Sequence, residues 1–206
     1  MVPAMANPGR GGRLSRDDRR AQLLAAARSV FVEQGYHAAA MDDIAERAGV
    51  SKPVLYQHFP SKLELYQALL DESANDMVAR VRAALAATED NHDRVHRTIE
   101  AYYEFVAGDD QAYRLIFESD LRGQPDVQAA VDRAIDGCLD ALTETITQDT
   151  GVDSTHSRLL ASALVGLSQV SARYWLSQGA QIPRAAAVDL LSTLAWRGIS
   201  GFPRQS

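Results

Sequence analysis

The chain has 206 residues, 46% of them hydrophobic and 23% charged, which is ample for one large or two small domains and excludes a disordered chain. Its one cysteine, Cys138, excludes an intrachain disulfide and a multi-cysteine metal site and fits a reducing compartment. The net charge of −6 argues against a polyanionic partner only if it is evenly spread, and it is not: residues 10–64 carry nine basic and seven acidic side chains, a net +2 that leaves −8 on the rest.

Residues 1–14 contain Pro, Gly and Arg but no apolar run of the kind a secretory leader needs, and they read as a flexible basic arm. Either the arm is an untied tail, or Arg10 and Arg13 brush phosphates or a minor groove once a duplex is bound. Ser15 with Asp18 makes a weak capping box. Leu23, Leu24, Ala27, Val30, Phe31 and Gln34 then keep helical spacing to an expected stop at Gly35, with Tyr36 packing behind it.

The stretch Met41 to Lys62, MDDIAERAGVSKPVLYQHFPSK, predicts two short helices joined by a tight turn. Met41, Ile44, Ala45 and Ala48 share one buried face, Gly49 supplies positive φ, and Ser51 with Pro53 opens the second helix, expected from Lys52 to Phe59. On that helix only Leu55 and Phe59 form an inward pair. Lys52, Pro53, Val54, Tyr56, Gln57 and His58 are left outside, a mixture that suits a duplex groove better than it suits solubility. Lysine donates to guanine edges, glutamine pairs with adenine, valine touches a thymine methyl, and Tyr56 and His58 donate to phosphates. Ser61 and Glu64 form a second capping box beside Lys62, another phosphate candidate.

At these residues the sequence resembles the TetR family of bacterial transcriptional regulators, whose helix-turn-helix ends in a pattern close to AGVSKxxLYxHFxSK; AGVSKPVLYQHFPSK matches it here. The likeness is specific from Arg16 to Tyr66. Members commonly have Ser or Thr just before the first helix of the motif, where this chain has Ala38, Ala39 and Ala40. A side-chain cap is therefore missing, and main-chain amides at Ala40 and Met41 are left to meet phosphate. Direction alone sorts the second helix into base readers, Lys52, Pro53, Val54 and Gln57, and phosphate contacts, Ser51, Tyr56, His58 and Lys62, together with Arg13 of the arm; the resemblance implies the same division.

From Ser61 the stripe Tyr66, Leu69, Leu70, Ala74, Met77, Val81, Ala84 and Leu85 predicts one long helix to Ala87, a lever between head and body. Next come a helix near Asp93 to Ala107, capped by Asn91 or Asp93, and a short one near Gln111 to Leu121. A seventh follows the turn Gly123-Gln124-Pro125 and ends before Gly151. His92 and His96 are four apart, but with no third ligand nearby a solvated face explains them better than a metal. The eighth helix, near Ser154 to Gln178, is apolar nearly all round, so it is expected to be covered on more than one side. The last is expected near Pro183 to Trp196. In the resembled family the final two long helices pair across a dimer, and the excess apolar surface here suits that.

The expectation is an all-α protein of about nine helices: an arm (1–14), a helix-turn-helix head (15–62) and an effector-binding, dimerising body (63–206). Its partners would be double-stranded operator DNA, a second copy of itself and a small uncharged or weakly polar effector, with no membrane. A ligand-released repressor fits best, a constitutive or activating regulator being the alternative. Tyr102, Tyr103, Tyr113, Phe117, Tyr174 and Trp175 are candidates for the effector pocket, against the plainer reading that they are core. No nucleophile motif, P-loop, metal set or dinucleotide loop occurs, so neither catalysis nor a cofactor is expected. No run is long enough to span a membrane, and a cytoplasmic protein is expected.

Overall fold

The computed structural model describes residues 14–108, 112–117, 121 and 123–198, and among them the regular structure is nine α-helices with no strand. α1 (Arg16–Ala38) starts where the Ser15 hydroxyl accepts from the Asp18 amide at 3.0 Å. Its buried face is Leu23, Leu24, Ala27, Val30 and Phe31. Gly35, at φ 77°, breaks the helix at the expected place, but the chain resumes for one further turn to Ala38.

α2 (Met41–Arg47) and α3 (Lys52–His58) are joined by a turn in which Gly49 takes φ 64°. Ala40 stands at the N-cap of α2 and supplies no side-chain bond, as its alanine dictates. Two contacts lock this pair onto α1: Gln22 donates to the Ala48 carbonyl at 2.8 Å, and both Arg47 terminal nitrogens hold the Glu33 carboxylate at 2.7 Å. Ile44, Leu55 and Phe59 fill the space between the three helices, and the Arg20 guanidinium lies 4.6 Å above the Phe59 ring. Phe59 caps α3 rather than belonging to it, a shift of one residue from expectation.

α4 (Lys62–Ala86) opens at Ser61, whose hydroxyl accepts from Glu64, and runs 25 residues, about 38 Å, with no Gly or Pro to interrupt it. It is the central column. Tyr66 marks where head meets body: its ring packs edge-on against Phe31 at 5.0 Å and Tyr36 at 5.1 Å, and its hydroxyl donates to the Leu115 carbonyl of α6 (Ala112–Phe117) at 3.4 Å. α5 (Asn91–Val106) begins slightly earlier than expected because Asp90 accepts from Asp93 N and caps it. α7 (Pro125–Thr150) lies so close along α4 that a β-carbon on Gly137 would stand 2.8 Å from a Val78 methyl. Gly151, at φ 69°, ends it.

α8 (Ser154–Ser177), capped by Asp153, and α9 (Arg184–Arg197) complete the body. The turn between them is closed by the Trp175 indole, which donates to the Ile182 carbonyl at 2.7 Å. α5 packs against both helices and α7 against α8. The outer faces of α8 and α9 remain bare in the single chain: Leu159 is 69% exposed, Tyr174 68% and Val170 59%, with Leu160, Leu190 and Trp196 near half.

Candidate nucleic-acid interface and effector cavity

With Leu55 and Phe59 buried, geometry alone turns the remaining side chains of α3 outward. Lys52, Pro53, Tyr56 and Gln57 are exposed, while Val54 and His58 are half-buried. Seven residues make a helix of about 10 Å, short enough for its whole outer face to enter one stretch of major groove. Ser51 at the N-cap is exposed and makes no capping bond with its hydroxyl. Ala40 is exposed and Met41 buried, yet the amides of the first turn of α2 have no intrahelical acceptor. Arg13 lies outside the described residues.

Two lysines of the expected interface differ in what holds them. Lys52 reaches Asp42 at 2.5 Å, a pair more than half exposed on both sides, and the hydrogen bond to Asp42 raises the lysine above its ordinary value. A phosphate can compete for such an exposed ammonium. Lys62 is occupied differently. Its ammonium donates to the carbonyls of Tyr36 at 2.8 Å, Ala39 at 2.9 Å and His37 at 3.3 Å, and sits 4.5 Å from the Tyr36 ring centre. That geometry ties the end of α1 to the start of α4 rather than reaching outward, because the three carbonyls ending α1 need a donor and the lysine stem is long enough to supply it.

Within the body, α4, α5, α7, α8 and α9 line a cavity of about 760 Å³ that is partly open to solvent. Its walls are largely aliphatic, with Met77, Val81, Leu85, Ile99, Leu142, Ile146, Leu164 and Leu167 among them. At one end Arg94 donates to the Leu85 carbonyl at 3.1 Å, the Thr88 carbonyl at 2.7 Å and Asn91 Oδ1 at 3.1 Å, and forms an ion pair with Asp149. Trp196 borders the same end and meets His92 edge-on at 5.3 Å. Burial pushes the Cys138 thiol up to about 11 and drives the Tyr102 hydroxyl well above the usual phenol range, so both keep their protons.

Of the six aromatics expected to line a pocket, Tyr102 lines this one. Tyr103 is buried beside it but points away, donating to Ser171 at 3.0 Å with its ring 5.5 Å from Trp175. Tyr113 and Phe117 pair with each other at 5.0 Å on α6, and Tyr174 faces solvent. Sequence reasoning missed the aliphatic wall and also the polar side chains Thr98, Thr145, Ser168 and Gln169, set into otherwise apolar stripes. That interruption of the stripe was the available signal. His96 reaches Asp189 at 3.2 Å, and no group of three or more potential metal ligands occurs among the described residues. No described helix is long and apolar enough to cross a membrane.

Known proteins share both halves of this arrangement. A family model described as "Bacterial regulatory proteins, tetR family" matches residues 23–69, and one described as "Tetracyclin repressor-like, C-terminal domain" matches residues 91–198. The chain is 50% identical over 194 residues, 94% of its own length and 89% of the other's, to the HTH-type transcriptional activator FasR of Mycolicibacterium smegmatis. Among solved structures, a TetR-like transcriptional regulator from Rhodococcus sp. RHA1 superposes with TM-score 0.71 at 31% identity, over 92% of this chain and all of that one. The Bacillus subtilis regulator FadR, in complex with stearoyl-CoA, shares the fold with TM-score 0.72 at 21% identity, over 87% of this chain and 98% of that one.

Proposed function

The chain belongs to the TetR family and is a DNA-binding transcriptional regulator, and from that premise we propose that it binds a pseudo-palindromic operator as a homodimer and that an apolar effector in its body loosens the grip. The observation that carries this is the outer face of α3, where Tyr56 and Gln57 end in hydrogen-bonding groups that the fold does not use and Lys52 is held only by an exposed pair with Asp42. Lys52, Pro53, Val54 and Gln57 meet base edges in this reading. Ser51, Tyr56, His58 and the amides of Ala40 and Met41 meet phosphates, with Arg13 of the arm beside them. Lys62 braces the head from within. We place the division between head and body at residues 62 and 63, where α4 begins.

The dimer forms through α8 and α9, where bare Leu159, Val170 and Tyr174 on the first and Leu190 and Trp196 on the second need an apolar partner. Half-site centres then lie one helical turn of DNA apart, about 34–36 Å, or a multiple of it. The cavity supports an effector that is mainly hydrocarbon, with any charge held at the Arg94 end. A protein of the same fold holds stearoyl-CoA, which makes long acyl chains the first class to try. As to sign, the activator FasR supports activation over the repression that the sequence alone favoured. The protein works in the cytoplasm, where its operator is.

Occupancy reaches the head through packed neighbours: Tyr102 stands near Tyr113 of α6, and α6 holds Tyr66, which holds Phe31. Linkage fixes the test. A ligand that lowers operator affinity must itself bind more weakly, by the same factor, when operator is present. Equal ligand affinity with and without the operator duplex, measured by calorimetry, would overturn the coupling.

A further inference from the structure

The cavity, taken as the effector site of the reading above, has two unlike ends. Arg94 joins the end of α4 to the start of α5 and pairs with Asp149 near the end of α7, so these groups share one end. Tyr102 lies eight residues along α5 from Arg94 and Cys138 eleven residues back along α7 from Asp149, about 12 and 16 Å deeper, and the two feel one another electrostatically.

Inward from Arg94 two hydroxyls are unspent, that of Thr98 one helical turn away and that of Tyr102 two. Thr98 Oγ1 and Tyr102 Oη are buried and have no hydrogen-bond partner among the described residues, whereas the neighbouring Ser168 hydroxyl donates to the Leu164 carbonyl at 3.0 Å. Tyr102 is 6% exposed and both residues line the cavity. Four residues apart, they face the same way one helical turn from each other. A folded chain keeps such groups unpaired at a cost, which an occupant with a matching atom removes. That atom is uncharged: Arg94, the only cation among the described lining residues, already pairs with Asp149, the Arg173 and Arg82 charges that Tyr102 and Cys138 feel do not line the cavity, and a buried carboxylate without a counter-ion in contact is heavily penalised.

We propose that Thr98 and Tyr102 form a hydrogen-bonding subsite one to two helical turns inward from Arg94 for one uncharged oxygen, hydroxyl or carbonyl, carried by an otherwise apolar chain. Such an oxygen comes either at the far end of a chain whose charged head stays near Arg94, or as the sole polar group of an alcohol that enters oxygen first. A methyl-ended chain, such as an ordinary acyl tail, leaves both hydroxyls unpaired and so binds more weakly than one that carries the oxygen.

The experiment is calorimetric titration of the full chain with dodecanoate, ω-hydroxydodecanoate and dodecan-1-ol, repeated on a Thr98→Val, Tyr102→Phe double variant that keeps side-chain shape. ω-Hydroxydodecanoate is expected to bind about five- to tenfold tighter than dodecanoate, a preference the double variant erases without weakening dodecanoate. If dodecan-1-ol also weakens in the double variant, the oxygen enters first; if it does not, the far-end oxygen is the source. Equal affinities of the two acids for the unaltered chain, a preference that survives in the double variant, or a double variant that melts lower than the parent overturns the subsite and leaves the cavity reading standing. Failure of all three compounds to bind overturns both.

Discussion

Of the exposed side chains on α3, Lys52, Tyr56 and Gln57 end in groups that hydrogen-bond, whereas those on α8 include Leu159, Leu160, Val170 and Tyr174, which present hydrocarbon or ring faces beside polar neighbours such as Arg158 and Arg173. Both faces stand clear of the fold to a similar degree. The difference teaches what each one wants: the first keeps its water until polar groups of equal quality replace it, and the second gains by losing water to any apolar surface of the right shape. Partner chemistry can therefore be read from the kind of exposure, even where the amount of exposure is the same.

The comparison breaks most visibly if the α8 face is charged. Replacing Val170 and Tyr174 together by Asp would bury two unpaired carboxylates per subunit, and the dimer dissociation constant should rise about hundredfold or more in sedimentation, with operator binding lost alongside. A dimer of unchanged strength would show that these helices do not pair. Next in size is Gln57→Ala, expected to cost about 1–3 kcal/mol on the best operator and to relax preference at one base pair. Unaltered preference in a selection from random duplexes would remove Gln57 from the reading face.

Lys62→Ala sharpens the boundary between face and scaffold. Because the ammonium serves three carbonyls, the variant should lose about 1–3 kcal/mol of stability in denaturant while the salt slope of DNA binding stays put. A slope lower by about one unit with unchanged stability would return the lysine to the phosphate set. The smallest effect concerns Glu33, held below the usual glutamate range chiefly by its hydrogen bond with Arg47. A carboxylate with a depressed folded-state value stabilises above its unfolded value near 4.5 and loses that contribution as pH falls through the lower, folded value. Glu33→Gln should thus melt slightly lower than the parent near neutrality, with the gap closing in acid, a small change because the pair is solvated.

How much of this was legible before any coordinates follows from how local each feature is. The turn at Gly49, the Leu55 and Phe59 anchor and the outward set on α3 depend on neighbours within one or two turns, so spacing reveals them. The kink at Gly35 was legible, but the extra turn to Ala38 was not, since carbonyls that Lys62 satisfies from 23 to 26 residues away hold that end of the chain. The cavity was the least legible part. Its lining comes from five helices between Met77 and Trp196, and adjacent residues meet opposite fates: Tyr102 lines it while Tyr103 turns to Ser171, and Trp175 closes a turn while Tyr174 faces solvent. Helical periodicity says which side of a helix is buried, but not whether another side chain or open space lies opposite.

The central claim joins the two faces: α3 reads sequence and the α8–α9 surface sets the distance between two copies of it. Selection of duplexes bound by the full chain from a random pool tests both at once. The account predicts enrichment of an inverted repeat whose half-site centres lie about 34–36 Å or a multiple apart, with the central preference of each half-site altered by Gln57→Ala. Recovery of single, unpaired sites, or of duplexes no different from the starting pool at physiological salt, would contradict it.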